Sequence, residues 1–211
     1  MGAAAVPSAL KPRKKPSQDR STATVDAIVE AAIRILREGG WTACTTTKVA
    51  ELAGVSVGSL YQYFPNRAAV AVEIVRRRTR KLMSAAIGVD LAGAANLKEA
   101  IGRAMAAFLT EKRTSLDLSL ALRDALPEVQ GRQAIIEEAR SYAPAFRAKL
   151  APLAEGVPDV ARLAVAMAAV EGTVWEMLAQ DAAALEQPEA ASALAGVFMA
   201  AAGLDPGRTR S

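Results

Sequence analysis

The residues of this 211-residue chain whose types and spacing suggest chemistry are Gly58, Ser59, Tyr61, Gln62 and Tyr63, five polar or small positions crowded between Val57 and Phe64. A surface needed only for solubility carries Lys and Glu. This one offers amide, phenol and hydroxyl groups and a glycine, which suit base edges and phosphates. Gly58 lets the backbone approach a sugar-phosphate strand. Gln62 presents a donor and an acceptor to an adenine edge, and Tyr61 and Tyr63 can donate to phosphate oxygens.

Of these, Gly58, Ser59, Gln62 and Tyr63 are expected to face outward from a short, firmly held helix. Residues 45–67, TTTKVAELAGVSVGSLYQYFPNR, supply the means. Thr45 or Thr46 caps a helix in which Val49, Leu52 and Ala53 fall at helical spacing, and Ala50 and Ala53 let a second helix cross closely. Gly54 ends it. Val55 is a turn residue, Ser56 caps the next helix, and Leu60 and Phe64 lie one turn apart on the face that should be buried. Pro65 stops the second helix, and Arg67 adds a cation beyond it.

With those pieces in register, AGVSVGSLYQYFPNR resembles the DNA-binding signature of the TetR family of transcriptional regulators, and the match runs without a gap from about Thr24 to Val75. The resemblance implies that Thr45 and Thr46 bind backbone phosphate, and that Val57, Gly58, Tyr61, Gln62 and Tyr63 form the major-groove surface. Arg67 stands where the family usually has a phosphate-binding Lys. Tyr63 occupies a position that is often His in the family, and the chain has no His at all.

Composition agrees with a helical regulator. Apolar residues make up 52% of the chain and aromatics only 4%, a balance that favours closely packed helices over sheets. The expected fold is all-α, about nine helices: a three-helix helix-turn-helix domain and a C-terminal bundle for ligand binding and dimerisation. Residues 1–81 hold 14 Lys+Arg against 6 Asp+Glu, a balance of +8, while residues 82–211 hold 12 against 16, or −4. Positive charge is thus gathered at the end expected to meet phosphate.

The same reading narrows the alternatives. A single cysteine cannot form an internal disulfide, which fits a reducing cytoplasm. Residues 1–10 read as no signal peptide, and the stretch Ser192 to Leu204 is too short to span a bilayer, so no membrane partner is expected. With no His, no metal-ligand cluster and no partner base for Cys44, neither a catalytic site nor a metal or other cofactor is expected. Cys44 reads as a small buried thiol.

Four regions follow: a basic arm (1–20), the helix-turn-helix domain (21–67), a linking helix (68–88) and a ligand-binding and dimerisation domain (89–211). The arm either reaches phosphates or the minor groove, or is a solvated tail. Helices are expected over Thr24–Glu38, Ala68–Met83, Asn96–Leu109, Ser115–Leu126, Glu128–Leu150, Pro158–Gln180 and Gln187–Gly203. Gly39 and Gly40 should end the first, with Trp41 packing back, and the fifth should kink before Pro144. The last two are apolar on several faces and need a partner surface.

In the family, the equivalent pair joins its copy in a homodimer. Here Ala168, Ala169 and Gly172 permit close approach, with Val165 and Met199 at the same interface and Trp175 and Met177 supplying area. A two-fold dimer places two reading helices ~34 Å apart on a palindromic operator. A pocket for an apolar inducer is expected among Met105, Phe108, Leu109, Leu122, Arg123, Glu171 and Trp175. Asp124, Glu138 and Arg140 are further polar groups that either orient a ligand or lie at the surface. The rival expectation is an architectural DNA-binding protein whose C-terminal half only dimerises.

Overall fold

The computed structural model describes residues 19–123, 125, 131–153 and 157–204, all helical or in short connections. The ten α-helices are α1 (Asp19–Ala43), α2 (Thr46–Leu52), α3 (Val57–Tyr63), α4 (Arg67–Gly88), α5 (Leu97–Arg113), α6 (Leu116–Arg123), α7 (Gly131–Ser141), α8 (Ala143–Leu150), α9 (Val160–Gln180) and α10 (Ala190–Ala202), with a short 3-10 helix over Ala182–Glu186. Residues 1–18 of the basic arm lie outside the described residues, as do Asp124 and the expected helix end at Leu126.

The chain forms two compact units. The division falls inside α4, between Arg78 and Thr79, and Leu116–Ala134 belongs to the first unit. Helix α6 is therefore grouped with α1, α2 and α3, because Leu118, Ser119 and Leu122 are buried where α6 packs on α1. An ion pair of 2.7 Å between Arg37 and Asp117 lies across the same pair of helices.

In the first unit, Val25, Ile28, Val29, Ala32 and Leu36 of α1 form the buried stripe implied by their spacing. The helix runs longer than expected at both ends. Gly40, at φ 66° and ψ −169°, interrupts it, and the short continuation to Ala43 turns Trp41 into the core. Only a glycine adopts that backbone cheaply. Inside α4, Arg77 donates to Glu73 on its own helix (2.9 Å) and to Asp26 on α1 (2.7 Å). Partial burial works against its charge, yet those two hydrogen bonds prevail and hold its pKa above the ordinary value. Arg77 is thus an internal brace between α1 and α4.

In the second unit, α10 packs on α9 and α5, and α8 packs on α9. Phe146 and Phe198 meet edge to face, their centroids 5.4 Å apart. Arg113 donates to the Leu185 carbonyl from Nε (2.9 Å) and Nη2 (2.6 Å), tying the 3-10 turn to the end of α5. Asn96 caps α5, its side chain accepting from the Glu99 backbone N–H. The segment expected as one helix to Leu150 is two, α7 and α8, broken at Tyr142. Pro144 sits in the first turn of α8, where its missing N–H costs nothing. That break accounts for ten helices among the described residues rather than nine.

Candidate nucleic-acid interface and apolar cavity

Helices α2 and α3 have seven residues each, too short to persist alone. Capping and burial hold them. Thr45 accepts a hydrogen bond from the Lys48 backbone N–H at 3.3 Å, so Thr45 rather than Thr46 is the cap of α2. Ser56 accepts one from the Ser59 N–H at 3.0 Å and caps α3. Each such cap contributes about 1 kcal/mol. Between the helices, Gly54 takes φ 68°, a left-handed turn residue. Leu60 and Phe64 are fully buried beneath α3, fixing which face looks out.

The exposed face carries Val57, Gly58, Tyr61 and Gln62, with Ser59 and Tyr63 half-buried at its margins. The Ser59 hydroxyl is engaged by that of Ser56 at 2.8 Å. The hydroxyls of Thr46 and Tyr61 share a hydrogen bond of 3.2 Å, although fifteen residues apart, which sets the Tyr61 phenol beside the start of α2. A side chain added at Gly58 would meet only Ser56 Oγ, at 3.8 Å, so the fold itself does not require glycine there.

Leu52 departs from its expected burial. It is 42% exposed, because α2 buries only Val49 and Ala50, and two positions past Ala50 lies about 200° around the helix. Arg67 opens α4 with its guanidinium 4.3 Å over the Trp41 ring and Nη1 donating to the Trp41 carbonyl at 3.4 Å. A cation at a helix N-terminus opposes the helix dipole, and the ring offsets part of that cost. Cys44 is buried, and burial pushes its thiol pKa up to about 11, so it is not a reactive thiolate.

The second unit encloses an apolar cavity of about 20 Å³. Met83, Ala86 and Ile87 of α4, Met105 and Phe108 of α5, Phe146 of α8, Met167 and Val170 of α9, and Phe198 of α10 line it. Of the expected pocket residues, Met105 and Phe108 line this space. Leu109 is buried elsewhere in the unit, and Leu122 and Arg123 lie on α6 in the first unit. Glu171 is buried, and the Lys112 ammonium sits 4.6 Å from the Trp175 ring centroid. Lys112 follows Phe108 by four residues and Glu171 follows Met167 by four, so both charged side chains stand one helical turn along from cavity-lining residues. Glu138 accepts from Arg80 Nε at 3.1 Å and Arg140 is exposed.

Among the expected interface residues, Val165 is 55% exposed, Gly172 is exposed and Ala168 and Ala169 are half-buried, whereas Met199 is buried inside the protomer. Sequence reasoning missed Lys112 and, among the cavity-lining residues, Met83, Ala86, Ile87, Phe146, Met167, Val170 and Phe198. Burial of a lysine and the meeting of α4, α8, α9 and α10 around one space are products of long-range packing.

An all-helical chain that presents a short capped helix over a turn of this geometry is a DNA-binding regulator by fold. Residues 28–74 match the model of the bacterial regulatory proteins of the tetR family. Residues 28–74 therefore carry the DNA-binding domain of TetR-family transcription regulators.

No curated protein matches the sequence. Among solved structures, the fatty acid degradation regulator FadR from Bacillus halodurans is similar over 93% of this chain and 100% of its own, with 20% identity and a TM-score of 0.58. The TetR family repressor AlkX from a Dietzia species, implicated in biodegradation of n-alkanes, covers 90% and 96%, with 17% identity and a TM-score of 0.60. A multidrug binding protein, EbrR, complexed with imidazole, covers 84% and 93%, with 20% identity and a TM-score of 0.60. At these identities the likeness is one of fold. Among the described residues no helix is long and apolar enough to cross a membrane.

Proposed function

We propose that this chain is a cytoplasmic, homodimeric transcriptional repressor that binds a near-palindromic operator through α3 and leaves it when an apolar small molecule enters the second unit. The observation that carries the reading is the pairing of two features in one chain. One is a capped helix whose exposed face is made of Val57, Gly58, Tyr61 and Gln62. The other is an apolar cavity lined in part by the last turns of α4, the helix that also begins beside the reading turn at Arg67.

In this reading Thr45, Thr46 and Tyr61 take phosphate oxygens, Arg67 adds a cation at the same strand, and Val57, Gly58 and Gln62 enter the major groove with Ser59 and Tyr63 at its edge. Val165, Ala168, Ala169 and Gly172 of α9 meet their copies across a two-fold axis. Ala193, Gly196 and Ala200, which line up on the exposed side of α10, permit a close approach there.

The inducer must favour the released state over the DNA-bound one, since only differential affinity shifts an equilibrium. A cavity of about 20 Å³ admits little more than a water molecule, so the ligand enters by repacking its walls. Met83, Met105 and Met167 make that repacking cheap, because an unbranched thioether side chain adopts many shapes. Two structural relatives are named for fatty acid degradation and for n-alkane biodegradation, and an alkyl or acyl chain is the ligand class to screen first.

The small size of the cavity favours a second reading, in which the C-terminal unit only dimerises and the protein acts architecturally. A footprint of the purified protein on DNA flanking its own gene, at two salt concentrations, separates the two. Protection of a discrete near-palindrome that survives the higher salt, and is lost on adding an alkyl-chain ligand, is the outcome expected of the repressor. Diffuse, salt-erased protection would establish the architectural reading instead.

A further inference from the structure

The exposed face of α3 has a chemical bias that bears on which base pairs it can read. Guanine presents two acceptors, O6 and N7, in the major groove, and these are matched best by the donors of Arg or Lys. Helix α3 runs from Val57 to Tyr63 without a cation. The cations on either side of it have other positions. Arg67 lies on the Trp41 ring and donates to the Trp41 carbonyl. Lys48 stands in the first turn of α2, outside α3.

Among the hydroxyls of the reading turn, those of Ser56 and Ser59 bond one another and that of Tyr61 bonds Thr46, while Tyr63 is half-buried at the margin of the face. On the exposed face this leaves the Val57 methyls, the open backbone at Gly58 and the Gln62 carboxamide. A carboxamide offers one donor group and one acceptor group. That is the complement of adenine, whose N6 amino group donates and whose N7 accepts. Two exposed methyls fit the C5-methyl of thymine, the one apolar group in the major groove.

We infer that α3 reads a half-site built on A·T pairs, with Val57 against a thymine methyl and Gln62 on an adenine edge, and that it reads no guanine directly. The inference rests on α3 being the helix that enters the major groove. It goes further by assigning the class of base pair and the residues that select it.

The test begins by selecting binding sites from random-sequence duplexes with the full chain. The recovered site is then remade with single thymines replaced by uracil, which removes only the methyl group, and single adenines by 7-deazaadenine, which removes only N7. Conserved A·T pairs in each half-site are expected. At least one uracil replacement should weaken the wild type several-fold and leave Val57→Ala almost unchanged. Gln62→Ala should lose discrimination at one adenine, roughly 5- to 150-fold, with 7-deazaadenine there no longer mattering. A half-site conserved at G·C pairs and insensitive to uracil would overturn the inference while leaving the DNA-reading role intact. Enrichment of no site would overturn that role, and the inference with it.

Discussion

The reading turn and the interior of the second unit solve opposite problems with the same helix-forming alphabet. Around α3, two seven-residue helices are fixed by Thr45, Ser56, the left-handed Gly54 and two fully buried rings and branches, Phe64 and Leu60. Little there can move without losing a cap or opening the core. Around the cavity, helices of 17, 21 and 13 residues meet through methionine, alanine and phenylalanine, and leave space between them. A surface that reads DNA needs fixed positions, because a misplaced donor loses its acceptor. An interior that takes ligands gains from side chains that repack.

The largest effect that tests this contrast belongs to Phe64→Ala. Removing a fully buried ring should cost about 3–5 kcal/mol in denaturant unfolding and abolish DNA binding with it. Loss of binding with stability unchanged would show that the reading turn does not depend on its core.

Next in size are the DNA contacts. Gln62→Ala should reduce the preference for operator over random DNA by about 1–3 kcal/mol, whereas Arg67→Ala should weaken binding to both alike and flatten the salt dependence. Arg67→Ala should also lower thermal stability, since its stacking on Trp41 is worth about 0.5–2 kcal/mol. Equal losses of specificity in both variants would erase the distinction between base reading and phosphate holding.

Smaller changes sharpen it. Gly58→Ala should stabilise the free protein by up to about 1 kcal/mol, because alanine favours helix and only Ser56 Oγ lies near the added methyl. It should still weaken operator binding, if the α3 backbone comes close to the DNA. In the other unit, Val170→Ile adds one methylene beside the cavity and should raise stability by at most about 1 kcal/mol. The same change should diminish any thermal shift caused by an alkyl-chain ligand. A stabilised variant that takes up ligand unchanged would show that the ligand binds elsewhere.

The last expectation concerns pH and is confined to strongly alkaline solution. Burial raises the Cys44 thiol from its ordinary 9.0 to about 11, with Arg67 pulling weakly the other way. The folded state therefore keeps its proton at a pH where the unfolded chain has lost it. Its contribution to stability is intact below about pH 9 and is lost as the pH rises toward about 11. Unfolding midpoints of wild type and Cys44→Ala, followed across that window, should converge as it is crossed. Slow reaction with a thiol reagent at neutral pH is the companion observation.

How much of this was open to inspection in the chain alone differs by region. The caps, the turn glycine and the buried pair Leu60 and Phe64 lie within a dozen residues of one another and obey local rules, so residues 45–67 announced their own structure. Leu52 is the exception within them, since spacing identifies a helical face and only the partner helix decides its width. Farther along the chain, a helix start at Asn96 and a disturbance before Pro144 were equally local, although the disturbance is a break rather than a kink.

The sequence by itself determined the helical class and the reading turn, with Gly58 and Gln62 on its outward face, because capping, periodicity and glycine conformations act over a few residues. Only the tertiary structure decided that Tyr61 meets Thr46, that Arg67 rests on Trp41, that α6 joins the first unit and that nine side chains from five helices enclose a cavity. Those pairings join positions fifteen to more than a hundred residues apart. Their partners are chosen by how whole helices pack, which no local spacing records.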